Sequence, residues 1–230
     1  MKKLVLFTTL LCLTVLVSSC RRDVVESESG AAFGIDVSQY NGDIDWAQVK
    51  VQTKTKDSIR FVIIRSPVGV DEDIRYERNY TEAKQQGFVV GSYHYYRPNE
   101  NSAKQFENFK TVLKLEKGDI LPVVDIEAQS SVQSMASLKV GLRNFVTLVE
   151  QEYGVKPIIY TSLSMWTTYL QDDFSDCKVW LSAYSPSRRE NEVVKNADIH
   201  QFTSKIRNIP GIPSKYVDGD DVRQLSSIRY

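Results

Sequence analysis

The sequence predicts an α/β fold, an incomplete βα barrel of the TIM type with about five βα units followed by strands that lack full helices. Three observations predict it. Strand-like apolar runs alternate with helical segments from residue 33 to residue 170, and after residue 177 strand-like runs continue without an obvious full helix. The 230-residue chain also has the length of one large domain or two small ones, and no linker divides it beyond residue 33. An open doubly wound sheet is the alternative.

Five strand-like runs each precede a helical segment. In chain order the pairs are 33–37 with 46–56, 60–65 with 74–86, 88–95 with 102–115, 120–127 with 131–153, and 157–160 with 164–170. The run 60–65 contains the continuous apolar stretch Phe61-Val-Ile-Ile64, as expected for a strand buried on both faces. Gly87, Gly118 and Gly154 follow helical segments as C-terminal stops, and Pro122 stands near a strand start, where a missing N–H is tolerated.

The last part of the chain contains three further strand candidates, at 178–184, 198–203 and 215–218. In a βα barrel the active site lies at the carboxyl ends of the strands. Acidic and aromatic residues stand at these ends and are therefore expected on one rim: Asp36, Tyr93 to Tyr96, Asp125, Glu127, Tyr160, Trp180, Tyr184, Asp198, His200 and Gln201.

The first twenty residues have the pattern of a secretory signal. A positive start at Met1-Lys2-Lys3 precedes an apolar run to Val17, and Val17-Ser-Ser-Cys20 resembles the lipobox of bacterial lipoproteins. An ordinary secretory signal and an uncleaved anchor are the alternatives. We expect a signal peptide at 1–19, a lipidated Cys20 with a flexible tether at 20–32, and a barrel domain at 33–230, held in the cell envelope through the lipid alone.

Charge balance and the absence of certain motifs argue against nucleic acid, nucleotide and metal ligands. The chain has 29 Lys+Arg against 29 Asp+Glu, and the absence of a basic cluster argues against nucleic acid. No Gly-rich phosphate fingerprint follows a strand, so no nucleotide cofactor is expected. Acidic residues suit Mg or Ca, but no further ligands occur at a diagnostic spacing, so no metal is expected either. Oligomeric state stays open.

Asp125 and Glu127 form a D-x-E pair at the end of an apolar strand. Side chains alternate across a strand, so both carboxyl groups face the barrel mouth while Ile126 faces the helices. Repulsion and burial raise one pKa, which leaves a proton donor beside an anion, as glycoside hydrolysis requires. Alternatively, these acids cap loops, pair with Arg65 or Arg97, or bind a metal.

At this point the sequence resembles the glycoside hydrolase family 25 lysozymes, which cut between N-acetylmuramic acid and N-acetylglucosamine. The matching segments occur in order through nearly the whole domain. They are GIDVSQYNGDIDW at 34–46, FVIIR at 61–65, 73–79, GSYHY at 91–95, LPVVDIE at 121–127, PIIYT at 157–161, VWLSAY at 179–184, and 201–204 with 217–218.

The resemblance implies a barrel that ends in bare strands and a role for four acids. Glu127 matches the family's proton donor. Asp125 matches the second acid, which acts as nucleophile or steadies the substrate's own acetamido group during assisted attack. Asp36 and Asp218 match two further acids of the cleft.

The resemblance also implies residues that contact sugar and a peptidoglycan substrate. These residues are Tyr93, Tyr160, Trp180, Tyr95 and Gln201. Core packing is the alternative for the aromatic ones, and we expect His94 to be a core histidine. His200 could face either the barrel or the cleft.

Two departures from the family pattern lie near the expected cleft. Val68 stands where a Glu is usual, and Val217-Asp-Gly-Asp-Asp-Val222 replaces Val-Asp-Leu-Asn, so Asp220 competes with Asp218 for the cleft position. The leading hypothesis is a retaining muramidase. A peptidoglycan-binding envelope lipoprotein with lost turnover, and a glycosidase acting on another aminosugar polymer, are the alternatives.

Overall fold

The computed structural model describes residues 30–52 and 58–230. The predicted signal peptide, Cys20 and most of the tether lie outside the described residues. Nine strands occur in the described part: β1 Ala32–Val37, β2 Ile59–Val68, β3 Asp71–Glu72, β4 Val89–Tyr95, β5 Val123–Asp125, β6 Ile158–Ser162, β7 Val179–Ser182, β8 Ile199–Arg207 and β9 Tyr216–Val222.

Eight of these strands close into a barrel. The order is β1-β9-β8-β7-β6-β5-β4-β2-β3, and β1 also pairs with β2. Neighbours are parallel from β1 through β2 and β4 to β8. β9 is antiparallel to both β1 and β8, and the two-residue β3 is an addition at the edge of β2. The predicted incomplete βα barrel is confirmed.

The helices lie between the strands, as βα units require. They are α1 Trp46–Gln52, α2 Tyr76–Gln85, α3 Ser102–Val112, α4 Met135–Tyr153, α5 Leu163–Met165 with its π-helical continuation Trp166–Leu170, and α6 Arg188–Val194. Short 3-10 turns cover Gln39–Asn41 and Leu225–Ile228. α6 follows β7 but has only seven residues, in agreement with the expected absence of a full helix there.

Local chemistry sets boundaries that the sequence patterns missed. α4 begins at Met135 rather than 131 because the Ser134 side chain caps it, accepting the N–H of Ser137. β5 is three residues long instead of spanning 120–127. Pro122 lacks an N–H, and Ile120 pairs instead with Arg229. The end of the helix predicted at 46–56 lies outside the described residues.

Strand side chains alternate between the barrel interior and the surrounding helices. On β2, Phe61 and Ile63 point inward and pack with Val123, Ile158 and Trp180. Val62 and Ile64 point outward into a second core that includes Trp46 of α1 and Tyr80 of α2. A third core beneath α3 and α4 surrounds Phe145. At the carboxyl ends of the strands, polar residues occupy the inward positions.

Among the described residues, no helix combines the length and apolarity needed to cross a membrane.

Candidate active site

A cavity of about 180 Å³ opens at the carboxyl ends of the parallel strands. Its lining consists of Asp36, Tyr93, Asp125, Glu127, Tyr160, Trp180, Tyr184, Gln201 and Asp218. All four acids expected in the cleft are therefore together, with four of the five residues expected to contact sugar. Tyr95 lies beside the cavity without lining it, one strand step beyond Tyr93 and paired with Asp125 across the sheet. Tyr184 is an additional wall residue.

Asp125 and Glu127 occupy different depths of this cavity. Asp125 ends β5 and is only 3% exposed, whereas Glu127, just beyond the strand, is open to solvent. The two carboxyl groups contact each other. Oδ1 of Asp125 has no N–H or hydroxyl donor among the described residues. Glu127 is thus the acid that reaches outward, and Asp125 lies beneath it.

Burial and the negative charges of Glu127 and Asp36 raise the pKa of Asp125 well above its ordinary value, and the positive charge of Arg65 offsets this only in part. Partial desolvation in the cleft and the negative charge of Asp218 also raise the pKa of Glu127. Two touching carboxyl groups titrate as one system. The pair therefore holds a proton beyond the pH at which a free carboxylic acid would release it.

Arginines do not neutralise this pair. Nε of Arg65 lies 2.9 Å from Oδ2 of Asp73, and Arg97 pairs with Asp71 and Glu100. No ion pair joins Asp125 or Glu127 to a Lys or Arg in the part of the chain that the structure describes. The alternative that these acids serve in ion pairs with Arg65 or Arg97 is therefore wrong.

Gln201 connects three sides of the cavity. Its Nε2 donates to Oδ2 of Asp36 at 2.8 Å, while its Oε1 accepts the hydroxyls of Tyr160 at 2.9 Å and Tyr184 at 2.7 Å. Burial raises the pKa of Tyr160 far above its ordinary value and that of Tyr184 to about 12. Both phenols therefore stay protonated as donors, which orients the amide so that its N–H groups face Asp36.

The antiparallel strand β9 supplies two acids to the inner face. Asp218 lies opposite Asp36 of β1 and lines the cavity, whereas Asp220 lies opposite Gly34, one step deeper. Asp220 is fully buried and accepts the indole N–H of Trp180 at 2.8 Å. The structure therefore places Asp218 in the cleft and Asp220 beneath it.

The two histidines and the one described cysteine lie away from this chemistry. His94 is fully buried, stacks on Phe145 at 4.9 Å between ring centroids and contacts Gln105, which confirms a core histidine. His200 faces the outside of the barrel and contacts the carbonyl of Ala183. Burial raises the pKa of Cys177 to about 11, which keeps it a thiol at neutral pH.

Two residues have roles around the cavity that the sequence patterns do not assign. Tyr184 is expected on the rim, but the family resemblance does not assign it to sugar contact; the structure shows that it lines the cavity two residues beyond the end of β7. Asp220 was expected only as a competitor of Asp218, and nothing in the sequence indicates that it lies beneath the cleft. In the described part of the chain, no group of three or more His, Cys, Asp or Glu side chains is arranged to hold a metal ion.

The arrangement suits acid-catalysed cleavage of a glycosidic bond. One exposed carboxyl group with a raised pKa lies beside buried carboxyl groups that can stabilise positive charge at a sugar ring. The aromatic wall provides the apolar faces that sugar rings contact, and the phenols and Gln201 provide hydrogen bonds.

Comparison with known proteins identifies relatives that match about two thirds of this chain. Lysozyme M1 of Streptomyces globisporus is 28% identical over 157 residues, which cover 64% of this chain and 52% of its own length. The YegX protein of Escherichia coli K12 is 28% identical over 69% of this chain and 58% of its own length. This chain thus spans little more than half the length of these curated relatives.

A solved structure described as a family 25 glycosyl hydrolase from Bacillus anthracis superposes with a TM-score of 0.72. It is 23% identical and covers 83% of this chain and 88% of its own, a likeness that shows the fold alone. The sequence model of glycosyl hydrolases family 25 matches residues 35–212, a stretch that carries three of the four cleft acids. The chain therefore belongs to glycosyl hydrolases family 25.

Proposed function

We propose that this protein hydrolyses peptidoglycan, cutting the β-1,4 bond between N-acetylmuramic acid and N-acetylglucosamine with retention of configuration. The observation that carries the proposal is the Asp125–Glu127 carboxyl pair at the end of β5, where an exposed acid with a raised pKa touches a buried one. Membership of the family and similarity to a lysozyme support the choice of substrate.

Glu127 acts as general acid and then as general base. Its exposed carboxyl group gives its proton to the glycosidic oxygen as the bond to the anomeric carbon breaks. In the second step it takes a proton from the water that attacks the same carbon. The proton count of the enzyme is thereby restored, and two inversions give net retention.

Burial favours one of the two roles left open for Asp125. A carboxyl group that is 3% exposed beneath Glu127 is poorly placed for direct attack on a sugar carbon. It is well placed to hold the N–H of the substrate's acetamido group, whose carbonyl oxygen then attacks the anomeric carbon and forms a cyclic oxazolinium intermediate. In the reactive state the proton of the pair lies on Glu127, so that ionised Asp125 stabilises the positive charge of that intermediate.

The aromatic residues of the cleft differ in how far they are exposed to a bound sugar. Trp180 is 2% exposed and Tyr160 is 7% exposed, and their ring centroids lie 4.5 Å apart, so they form the floor of the cavity. Tyr184 is 52% exposed and offers the accessible ring. We place the sugar that is attacked against the exposed ring of Tyr184, whose hydroxyl shares the Gln201 amide with Asp36.

We also propose that the enzyme works in the cell envelope of a bacterium, anchored by lipid on Cys20. The apolar run to Val17 and the Ser-Ser-Cys sequence support this location. Metabolic labelling with a radioactive fatty acid tests it. Label in the full chain and none in Cys20→Ala supports the anchor, and equal labelling contradicts it.

The activity is tested with purified, dye-labelled cell walls. The wild type is expected to release dye, and Glu127→Gln is expected to lose at least ~10²-fold of the rate because a general acid is removed. Glu192→Gln is the matched control, since Glu192 is exposed on α6 and forms an ion pair with Lys195. Equal rates for the wild type and Glu127→Gln would overturn the proposal.

A further inference from the structure

Asp36 and Asp220 form a second carboxyl pair, on the side of the cavity opposite β5. Asp36 is 7% exposed and Asp220 is 0% exposed, and their carboxyl groups contact each other. The contact follows from the strand register, because β9 sets Asp218 opposite Asp36 and Asp220 one inward step deeper. Two buried carboxylates in contact repel each other strongly, so at least one of them must keep a proton.

Hydrogen bonds indicate which acid keeps it. Asp36 receives the amide N–H of Gln201 at 2.8 Å and borders the open cavity, and both features favour an anion. Asp220 receives the indole N–H of Trp180 on Oδ1 only. Its Oδ2 is buried without an N–H or hydroxyl donor among the described residues. An acceptor left without a donor in this position is costly, whereas a protonated oxygen there donates to Asp36.

We infer that Asp220 is a protonated acid at neutral pH and donates its O–H to the Asp36 carboxylate, so that the two side chains together carry one negative charge. Asp220 is then a positioning residue for Asp36. The Asp36 anion is held by two donors, the Gln201 amide on one side and the Asp220 carboxyl group beneath. The proton lies on Oδ2 of Asp220, the buried oxygen that otherwise has no hydrogen-bond partner among the described residues.

The other charged groups around the pair do not remove the need for this proton. The titratable groups that face it are all acids or phenols: Asp218 on β9, Tyr160 on β6, Tyr184 after β7, Tyr93 on β4, and Asp125 and Glu127 at β5. Arg65 of β2 is engaged by Asp73. His200 and Asp221 lie on the outer face of β8 and β9.

Infrared difference spectroscopy at pH 7 counts this proton. Subtracting the Asp220→Asn spectrum from the wild-type spectrum is expected to show the C=O stretch of one protonated carboxylic acid. Asp221→Asn is the matched control, because Asp221 is exposed, and its difference spectrum should show a carboxylate instead. A carboxylate signal without a protonated one for Asp220→Asn would overturn the inference.

Activity gives a second readout that a merely structural role would not move. The Asn side chain keeps an N–H donor beneath Asp36, and Leu keeps only the volume. Asp220→Asn is expected to exceed Asp220→Leu by at least about tenfold in kcat/KM, with both folded by circular dichroism. Equal values would overturn the positioning role. This readout rests on the proposed function, whereas the infrared proton count does not, so the two can fail separately.

Discussion

Nε2 of Gln201 lies 2.8 Å from Oδ2 of Asp36, although the two residues are 165 positions apart in the chain. The contact exists because β9 inserts between β1 and β8 and closes the barrel. The same amide accepts the hydroxyls of Tyr160 and Tyr184. One side chain therefore sets the position of a cleft acid and of two wall residues.

Replacing Gln201 by Leu should damage both activity and stability. The substitution removes a donor from buried Asp36 and the acceptor of two phenols, so kcat/KM should fall at least about tenfold and stability by about 1–3 kcal/mol. Gln105→Leu is the matched control, because Gln105 is also buried but contacts His94 and Arg97 instead. It should lose stability and keep its kcat/KM. An active Gln201→Leu enzyme would contradict the assignment.

The pH profile should respond to Asp218. Its negative charge helps to raise the pKa of Glu127, whose protonated form is the general acid. Asp218→Asn removes that charge, so Glu127 should lose its proton at a lower pH and the basic limb of kcat/KM should move to lower pH. The exposed Asp172 provides the control substitution, Asp172→Asn. An unmoved or upward-shifted limb in Asp218→Asn would show that Asp218 does not act on Glu127.

Asp125 is expected to destabilise the folded state at alkaline pH. Its raised pKa means that the folded state keeps a proton that the unfolded chain releases above about pH 4. Its contribution to stability is therefore present at low pH and lost as the pH rises through the folded-state pKa. Asp125→Asn should unfold at a higher urea concentration than the wild type at pH 8, with a free energy of unfolding that is larger by about 0.5–2 kcal/mol. This gain should shrink toward pH 4.

Asp119 gives the contrast for this stability measurement. It is as buried as Asp125, 3% exposed in each case, but it accepts hydrogen bonds from Tyr80 and Lys84. Asp119→Asn should therefore be destabilising by about 1–3 kcal/mol. If Asp125→Asn lost stability in the same way, the idea that the cleft acid is kept for catalysis at the expense of stability would be wrong.

The proposed role of Asp125 predicts a dependence on the substrate's acetamido group. Chemically de-N-acetylated cell walls should be cut slower by on the order of 10²-fold or more, because the tethered nucleophile is lost. The same walls after re-acetylation serve as the control and should recover. If walls lacking the acetamido group were cut at the native rate, Asp125 would have to attack the sugar carbon directly.

Strand alternation and the family resemblance together place most of the cleft. The pairs Asp125–Glu127 and Asp36–Asp218 follow from strand ends that point to one rim, together with that resemblance. Alternation equally puts Tyr95 on the inner face with Tyr93, but it carries no information on where along that face the cavity ends. Tyr95 lies past that limit, beside Asp125.

Features set by contacts between distant segments could not be predicted from the sequence. The depth of Asp220 depends on the antiparallel register of β9 against β1, which no local pattern encodes. The hydrogen bond from Tyr184 to Gln201 likewise joins neighbouring strands, and no local pattern encodes it. The two-residue β3, Asp71–Glu72, is exposed and has no apolar period to reveal it.

The most direct test of the central claim is the identity of the new reducing end. Purified peptidoglycan is digested with the wild type and with Glu127→Gln, reduced with borohydride, and its fragments are identified by mass spectrometry. The proposed function predicts reduced muramic acid ends from the wild type and not from the variant. Reduced glucosamine ends, or no fragments from a folded wild type that still binds the walls, would contradict it.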